Sequence, residues 1–195
     1  MNAVDYDKLM QQMCKEGQGK KLLLHACCAP CSSACLERIY SVFQTTVLFY
    51  NPNMDCEEEY EKRKKEEIRF LQETGYASFL DCDYAHADFE KIARGMEGEK
   101  EGGARCLKCF SLRLARTAQE AKAGGYDYFA TTLTLSPLKN ARAINEIGLE
   151  LEKEYGVKYL PTDFKKRGGY LRSIELSKQH NLYRQNYCGC EYSKR

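Results

Sequence analysis

The apolar positions of this chain switch repeatedly between two spacings. Leu22, Leu23 and Leu24, inside residues 20–24, form a short apolar run that reads as a buried strand. Leu36, Ile39, Tyr40 and Phe43 then recur at helical spacing. Residues 45–50 are β-branched and aromatic, a second buried strand closed by the turn residues Asn51, Pro52 and Asn53. Ahead of this unit, residues 4–14 suit a short helix with Tyr6, Leu9, Met10 and Met13 on one face, and Gly17 and Gly19 end it.

The alternation continues downstream. Residues 57–74 are strongly charged with sparse apolar positions (Tyr60, Ile68, Leu71), which predicts a helix solvated on most sides and stopped by Gly75. Residues 77–80 predict a short third strand, and 87–94 a short helix. A glycine-rich, charged loop over 95–103 leads into Phe110, Leu114, Ala118 and Ala121, a helix ended by Gly124 and Gly125. Residues 126–135 predict the fourth strand. Ser136 and Pro137 have the order of a cap followed by a first-turn proline, so they predict a helix running to about Tyr155. Residues 157–160 predict the fifth strand and 171–179 the last helix. Five strands alternating with helices define an α/β fold with a mostly parallel five-stranded sheet, a Rossmann-like three-layer sandwich. In such sheets ligands sit beyond the carboxyl ends of the strands.

Composition narrows the setting. At 195 residues, 43% hydrophobic and 30% charged, the chain is most simply one domain over 1–195. No apolar run approaches a membrane span, and the first seventeen residues lack the apolar core of a signal peptide, so a cytoplasmic location without membrane attachment is expected. The net charge of +2 conceals an asymmetry. Residues 163–195 hold eight Lys or Arg against three Asp or Glu, a local net of +5. This basic segment, with Lys165, Lys166, Arg167 and Arg184 and the tyrosines Tyr183, Tyr187 and Tyr192, has the composition of an RNA-facing surface, although a solvated surface often looks the same.

Cysteine changes the picture most. Eleven cysteines are too many for a reducing compartment unless metal or redox chemistry uses them. They group as Cys27-Cys28-x-x-Cys31, Cys106-x-x-Cys109 and Cys188-x-Cys190, while Cys14, Cys35, Cys56 and Cys82 stand alone. The first group lies on a strand-to-helix turn, where Ser32 or Ser33 is a natural cap and the helix dipole favours thiolate. Zinc, an iron–sulfur cluster and a thioredoxin-like Cys28/Cys31 dithiol all suit such a turn. Three groups in one chain favour a metal or cluster, since a dithiol leaves two of them unexplained. A thiol–disulfide oxidoreductase and a zinc-stabilised RNA-binding module are the rival functions. His25, just before the turn, suits a proton donor, an orienting residue or simple packing.

In these residues the chain resembles the epoxyqueuosine reductases of the QueH type. The likeness runs through Leu24-His25-Ala26-Cys27-Cys28-Ala29-Pro30-Cys31-Ser32, Tyr50-Asn51-Pro52-Asn53, Glu101-Gly102-Gly103-Ala104-Arg105-Cys106-Leu107-Lys108-Cys109-Phe110-Ser111-Leu112-Arg113-Leu114, Thr131-Thr132-Leu133-Thr134-Leu135-Ser136-Pro137-Leu138-Lys139-Asn140, Asp163-Phe164-Lys165-Lys166 and Tyr183-Arg184-Gln185-Asn186-Tyr187-Cys188-Gly189-Cys190. The resemblance implies an adenine-nucleotide-hydrolase-like (HUP-like) fold and reduction of the epoxide of epoxyqueuosine in tRNA to the alkene of queuosine. It also implies a 4Fe-4S cluster on Cys27, Cys28, Cys106 and Cys109, an additional iron or other divalent metal ion, no cobalamin, and an unidentified electron donor. Within it, Cys31 is the expected ligand of the second metal. Cys188 and Cys190 are expected as a redox pair or a cover over the site, and Lys165, Lys166, Arg167 and Arg184 as tRNA contacts in the anticodon loop region.

Overall fold

The structure, a computed structural model, describes residues 4–194. Residues 1–3 and Arg195, which the single-domain span and the basic segment include, lie outside the described residues. Five strands, β1 (Lys21–His25), β2 (Gln44–Leu48), β3 (Ser78–Leu80), β4 (Tyr128–Thr131) and β5 (Lys158–Tyr159), form one sheet in the order β3-β2-β1-β4-β5. Every pairing is parallel. The helices are α1 (Tyr6–Glu16), α2 (Ala29–Ile39), α3 (Glu57–Thr74), α4 (His86–Ala93), α5 (Ala104–Ala123), α6 (Ala141–Tyr155) and α7 (Gly169–Gln179). The three-layer α/β sandwich expected from the alternating pattern is thus the observed architecture.

Why β1 is the centre follows from its side chains. Leu22 and Leu24 point into the core that α1, α2, α3 and α7 cover, while Leu23 points into the core beneath α5 and α6. A strand with leucine on both faces is stable only between two helical layers. The chain steps from β1 outward through β2 to β3, then returns to place β4 on the other side of β1. That reversal is the topological switch point, where adjacent crossovers diverge and leave a crevice. Register puts His25 beside both Leu48 and Thr131, so the turns after β1, β2 and β4 emerge side by side at this crevice.

Several boundaries differ from expectation, each for a local reason. Neither Ser32 nor Ser33 caps α2. Cys28 is the extended N-cap residue, and Pro30 sits in the first turn, where its fixed φ suits a helix start. Ser33 instead donates back to the Pro30 carbonyl, and Ser32 donates to Glu67 at 2.6 Å. Strand β4 ends four residues early because Thr131 accepts from the Leu133 N–H and caps a 3₁₀ turn over Thr132–Leu135. Helix α6 begins at Ala141 rather than after Pro137: Asn140 accepts from the Ala143 N–H at 3.2 Å and is the better cap. Residues 136–140 are therefore free to form a turn at the crevice. No helix among the described residues is long and apolar enough to cross a membrane.

Candidate active site

The crevice is built from the ends of separate elements. The β1–α2 turn brings Cys27, Cys28 and Cys31 together, with their sulfurs all within 4.8 Å of one another, a set that can hold a metal ion. Cys27 Sγ lies 3.9 Å from Cys28 Sγ. The pairing has an electrostatic consequence. Hydrogen bonds from the Cys28 and Cys31 thiols, with Arg113 and Lys139 nearby, hold Cys27 well below the ordinary thiol range despite its burial. The same bonds push Cys28 and Cys31 upward. Of the three, Cys27 is the one whose thiolate the site favours.

Helix α5 supplies the second arm. Cys106, Cys109 and Arg113 fall at i, i+3 and i+7, so they share one helical face. Cys106 accepts the Gly102 N–H at 3.2 Å, and burial pushes the Cys109 thiol up to about 12. The third arm is the C-terminal segment. Gly189 has φ +117°, and a Cβ there would lie 3.1 Å from Met54 and 3.4 Å from Arg63, so the Cys188-Gly189-Cys190 turn requires glycine. The segment is strapped down by an Asp55 N–H to Gly189 carbonyl bond of 3.0 Å, an Arg63 bond to the Cys188 carbonyl of 3.3 Å, and the Lys194–Asp55 ion pair. Arg105 stacks over the Tyr192 ring at 4.0 Å.

These arms enclose two adjoining cavities. One, of about 340 Å³, is lined by Cys27, Cys28, Cys31 and Cys188, by Arg63, Lys139 and Arg184, and by Tyr170 and Tyr187. The other, of about 30 Å³, is lined by Cys106, Cys109, Cys188 and Cys190. Cys188 and Lys139 line both, so the three cysteine groups border one pair of adjoining cavities, although only Cys27, Cys28 and Cys31 lie within 4.8 Å of one another. All eleven cysteines are unpaired, Cys188 and Cys190 included; Cys190 Sγ contacts Ser193 Oγ at 3.5 Å.

Two basic groups inside the QueH-like motifs, Lys139 and Arg113, acquire a role only in the structure. Burial alone would lower Lys139, but the thiols of Cys188, Cys27 and Cys31 outweigh it and raise its pKa. Arg113 lies fully buried behind the cysteines, donating to Asn51 Oδ1 at 2.5 Å and facing His25 Nε2 at 3.2 Å. The helical spacing from Cys106 was the available signal for it. His25 is fully buried, with Nδ1 2.9 Å from Thr131 Oγ1 and Nε2 3.0 Å from the Tyr50 carbonyl. Burial, reinforced by the Arg113 charge, holds its pKa at about 3. An imidazolium would also turn an N–H against the Arg113 N–H.

The surface residues expected at RNA separate into two kinds. Arg184 lines the larger cavity and donates to Ser177 Oγ at 3.2 Å. Lys165, Lys166 and Arg167 each have an acidic neighbour: Asp163 at 3.7 Å, Asp5 at 3.5 Å and Asp7 at 2.8 Å. The charged face of α3 is also less solvated than its composition suggests. Arg63 and Glu67 are buried along with Tyr60, Phe70 and Leu71.

The fold and site together define a Rossmann-like α/β protein whose switch-point crevice carries a cysteine site surrounded by cations. The chain belongs to the epoxyqueuosine reductase QueH family, whose model matches residues 22–195. It is 44% identical to the epoxyqueuosine reductase QueH of Streptococcus pyogenes serotype M1, over 97% of this chain and 78% of that protein. It is 41% identical to that of Staphylococcus epidermidis over 97% and 84%, and 39% identical to that of Thermotoga maritima over 88% and 89%.

Proposed function

We propose that this chain is an epoxyqueuosine reductase that acts on tRNA, removing the epoxide oxygen of the modified nucleoside as water at the expense of two electrons and two protons. The observation that carries this reading is the meeting of three cysteine groups at one crevice, next to a cavity large enough for a nucleoside. The donor set fits an iron–sulfur group: it is all sulfur, largely buried, and bordered by cations that offset thiolate charge. Cys27, Cys28, Cys106 and Cys109 would hold a 4Fe-4S cluster, with Cys31 left for a second iron or other divalent ion. When bound, these groups supply the electrons and a Lewis acid for the epoxide oxygen. Cobalamin has no part in this reading, and the electron donor is a separate partner.

The chain's own residues bind, orient and shield. Tyr170 and Tyr187 offer aromatic faces to a nucleobase splayed from the anticodon loop, and Arg184 offers its cation to the attached phosphate. Residues 187–194 cover the cysteines from water, with Cys188 and Cys190 poised as a redox pair. His25, held neutral between Thr131 and Arg113, orients the turn rather than donating a proton. Lys139 Nζ holds a proton at the junction of the two cavities. The free thiols suit a reducing, cytoplasmic setting.

Anaerobic reconstitution followed by iron and sulfide analysis tests the reading. A brown protein with a full cluster complement is expected, together with loss of one oxygen atom from the nucleoside of treated tRNA, read by mass spectrometry. Serine at Cys27, Cys28, Cys106 and Cys109 should abolish both. Stoichiometric zinc with no sulfide, or full cluster uptake by the four-serine variant, overturns the ligand assignment.

A further inference from the structure

Among the cations around the cysteine site, Arg63, Lys139 and Arg113 differ in what balances them. Arg63 brings its own counter-charge, because its Nε donates to Glu59 at 2.6 Å. Lys139 is partly exposed at the cavity wall, and the sulfurs of Cys188, Cys27 and Cys31 offset the burial of its charge. Arg113 has neither that exposure nor, among the described residues, a carboxylate partner. It is fully buried, and its polar partners, His25 Nε2 and Asn51 Oδ1, are both neutral. Its remaining terminal nitrogen has no hydrogen-bond partner among the described residues. No carboxylate pairs with it there either; the groups that hold its charge against burial are the sulfurs of Cys109, Cys27 and Cys188.

A guanidinium cannot shed its proton in a protein, and a buried charge without a counter-ion is strongly unfavourable. The site is therefore built to receive negative charge at its sulfurs. The network around Arg113 also ties the arms together. His25 ends β1 two residues before Cys27, and Asn51 donates to the Ala26 carbonyl at 2.9 Å. Arg113 itself lies one helical turn beyond Cys109.

We propose that Arg113 is a positioning residue that joins the Cys27 turn to the Cys109 helix and whose buried charge, faced by sulfurs and by no carboxylate among the described residues, favours the more negative, reduced state of the group those cysteines hold. This rests on the iron–sulfur reading above. Cluster potentials respond to net charge and to hydrogen bonds at the sulfurs, and a fixed cation in a low-dielectric interior raises the potential. Nothing in the composition marks Arg113 out from the other arginines; its lack of a carboxylate does.

The test compares Arg113→Gln, Arg113→Lys and Asn51→Asp, reconstituted anaerobically, with iron and sulfide content measured before a redox titration of the cluster absorbance. Asn51→Asp keeps the arginine and gives it the missing carboxylate, so it answers the question even if Arg113→Gln folds poorly. At a fixed solution potential, the ratio of reduced to oxidised cluster should fall about tenfold in Arg113→Gln and in Asn51→Asp, equivalent to about 59 mV for a one-electron couple. Arg113→Lys should stay within about a factor of three of the wild type, as retention of the charge requires. Full clusters with unshifted potentials in the Gln and Asp variants overturn the proposal and leave the cluster reading standing. Equal shifts in the Lys and Gln variants also overturn it, because packing and not charge would then be responsible. A wild type that takes up no cluster overturns the iron–sulfur reading and this proposal with it.

Discussion

Arg113 and the loop of Lys165, Lys166 and Arg167 mark two extremes among the cations of this protein, and they are used in opposite ways. The loop is conspicuous in the sequence, three basic residues in a row, yet each finds an aspartate nearby and its field is partly spent on the protein itself. Arg113 is one arginine in an amphipathic helix, yet it sits buried among sulfurs with no carboxylate partner among the described residues. Exposed pairs contribute about 0–1 kcal/mol each, whereas stranding a buried charge costs several. A cation's role therefore follows from its partner and its depth. The number of cations in a stretch says much less.

The largest effect that sharpens this contrast should come from Lys139, which touches neither extreme. The residue is partly exposed, but its ammonium is desolvated; it lines both cavities and is drawn by the sulfurs of Cys188, Cys27 and Cys31. Lys139→Met should lower kcat by about 100-fold or more, the scale for removing a placed charge or proton donor, while cluster content measured as iron and sulfide stays level. Unchanged single-turnover rates would make Lys139 a bystander. Next comes Arg63, buried like Arg113 but paired. Arg63→Ala strands Glu59 and releases the Cys188 carbonyl, so a loss of about 3 kcal/mol in chemical denaturation is expected. Hydrogen exchange in residues 187–194 should rise with it, because the stack of Arg63 on Tyr187 at 5.0 Å goes too.

These residues also show how far the sequence could be read. Strand and helix order was legible because β1 and its neighbours are short apolar runs and the helices keep one apolar face. The cysteine turn was legible because its spacing is local. Arg63 and Glu67 were not: they occupy inward positions of α3 in the same rhythm as Tyr60 and Phe70, but charge at those positions makes the helix look solvated. The start of α6 was missed because two capping signals compete over five residues, and Asn140 wins over Ser136. Arg113 was missed because its meaning depends on His25 and Asn51, which lie 88 and 62 residues away in sequence.

A smaller effect is expected at Asp7, the acid that makes the surface loop unlike Arg113. Burial would raise its carboxyl, but hydrogen bonds from Arg38 at 2.5 Å and Arg167 at 2.8 Å outweigh it and hold the pKa below the ordinary value. A carboxyl depressed in the folded state stabilises fully above its unfolded pKa, about 3.9, and the gain is lost as pH falls through the lower, folded value. Asp7→Asn should therefore cost about 2 kcal/mol at pH 7, between exposed and buried pairs, and should flatten the fall in stability below about pH 4. Parallel acid profiles for the two proteins would show that the pair contributes nothing to folding.

The smallest effect concerns whether the surface loop meets RNA at all. If Lys166 is engaged with Asp5 at 3.5 Å, an approaching phosphate must displace that carboxylate as well as water and counterions. Each lysine should then contribute less than one unit to the slope of log affinity against log salt, where a free cation contributes about one. Lys165→Ala/Lys166→Ala should weaken tRNA binding and flatten that slope by about one unit for the pair, with cluster content unchanged. Asp5→Asn makes the opposite prediction: it frees Lys166, so affinity at low salt should rise about twofold, the scale of an exposed pair, and the slope should steepen. Filter binding with an anticodon stem-loop at several salt concentrations reads both. Should neither variant move affinity or slope, the loop is a turn that ties α1 to the rest of the fold through Asp5 and Asp7. The RNA path would then run past Arg184 and Tyr170 at the cavity mouth, where no carboxylate among the described residues holds the cation.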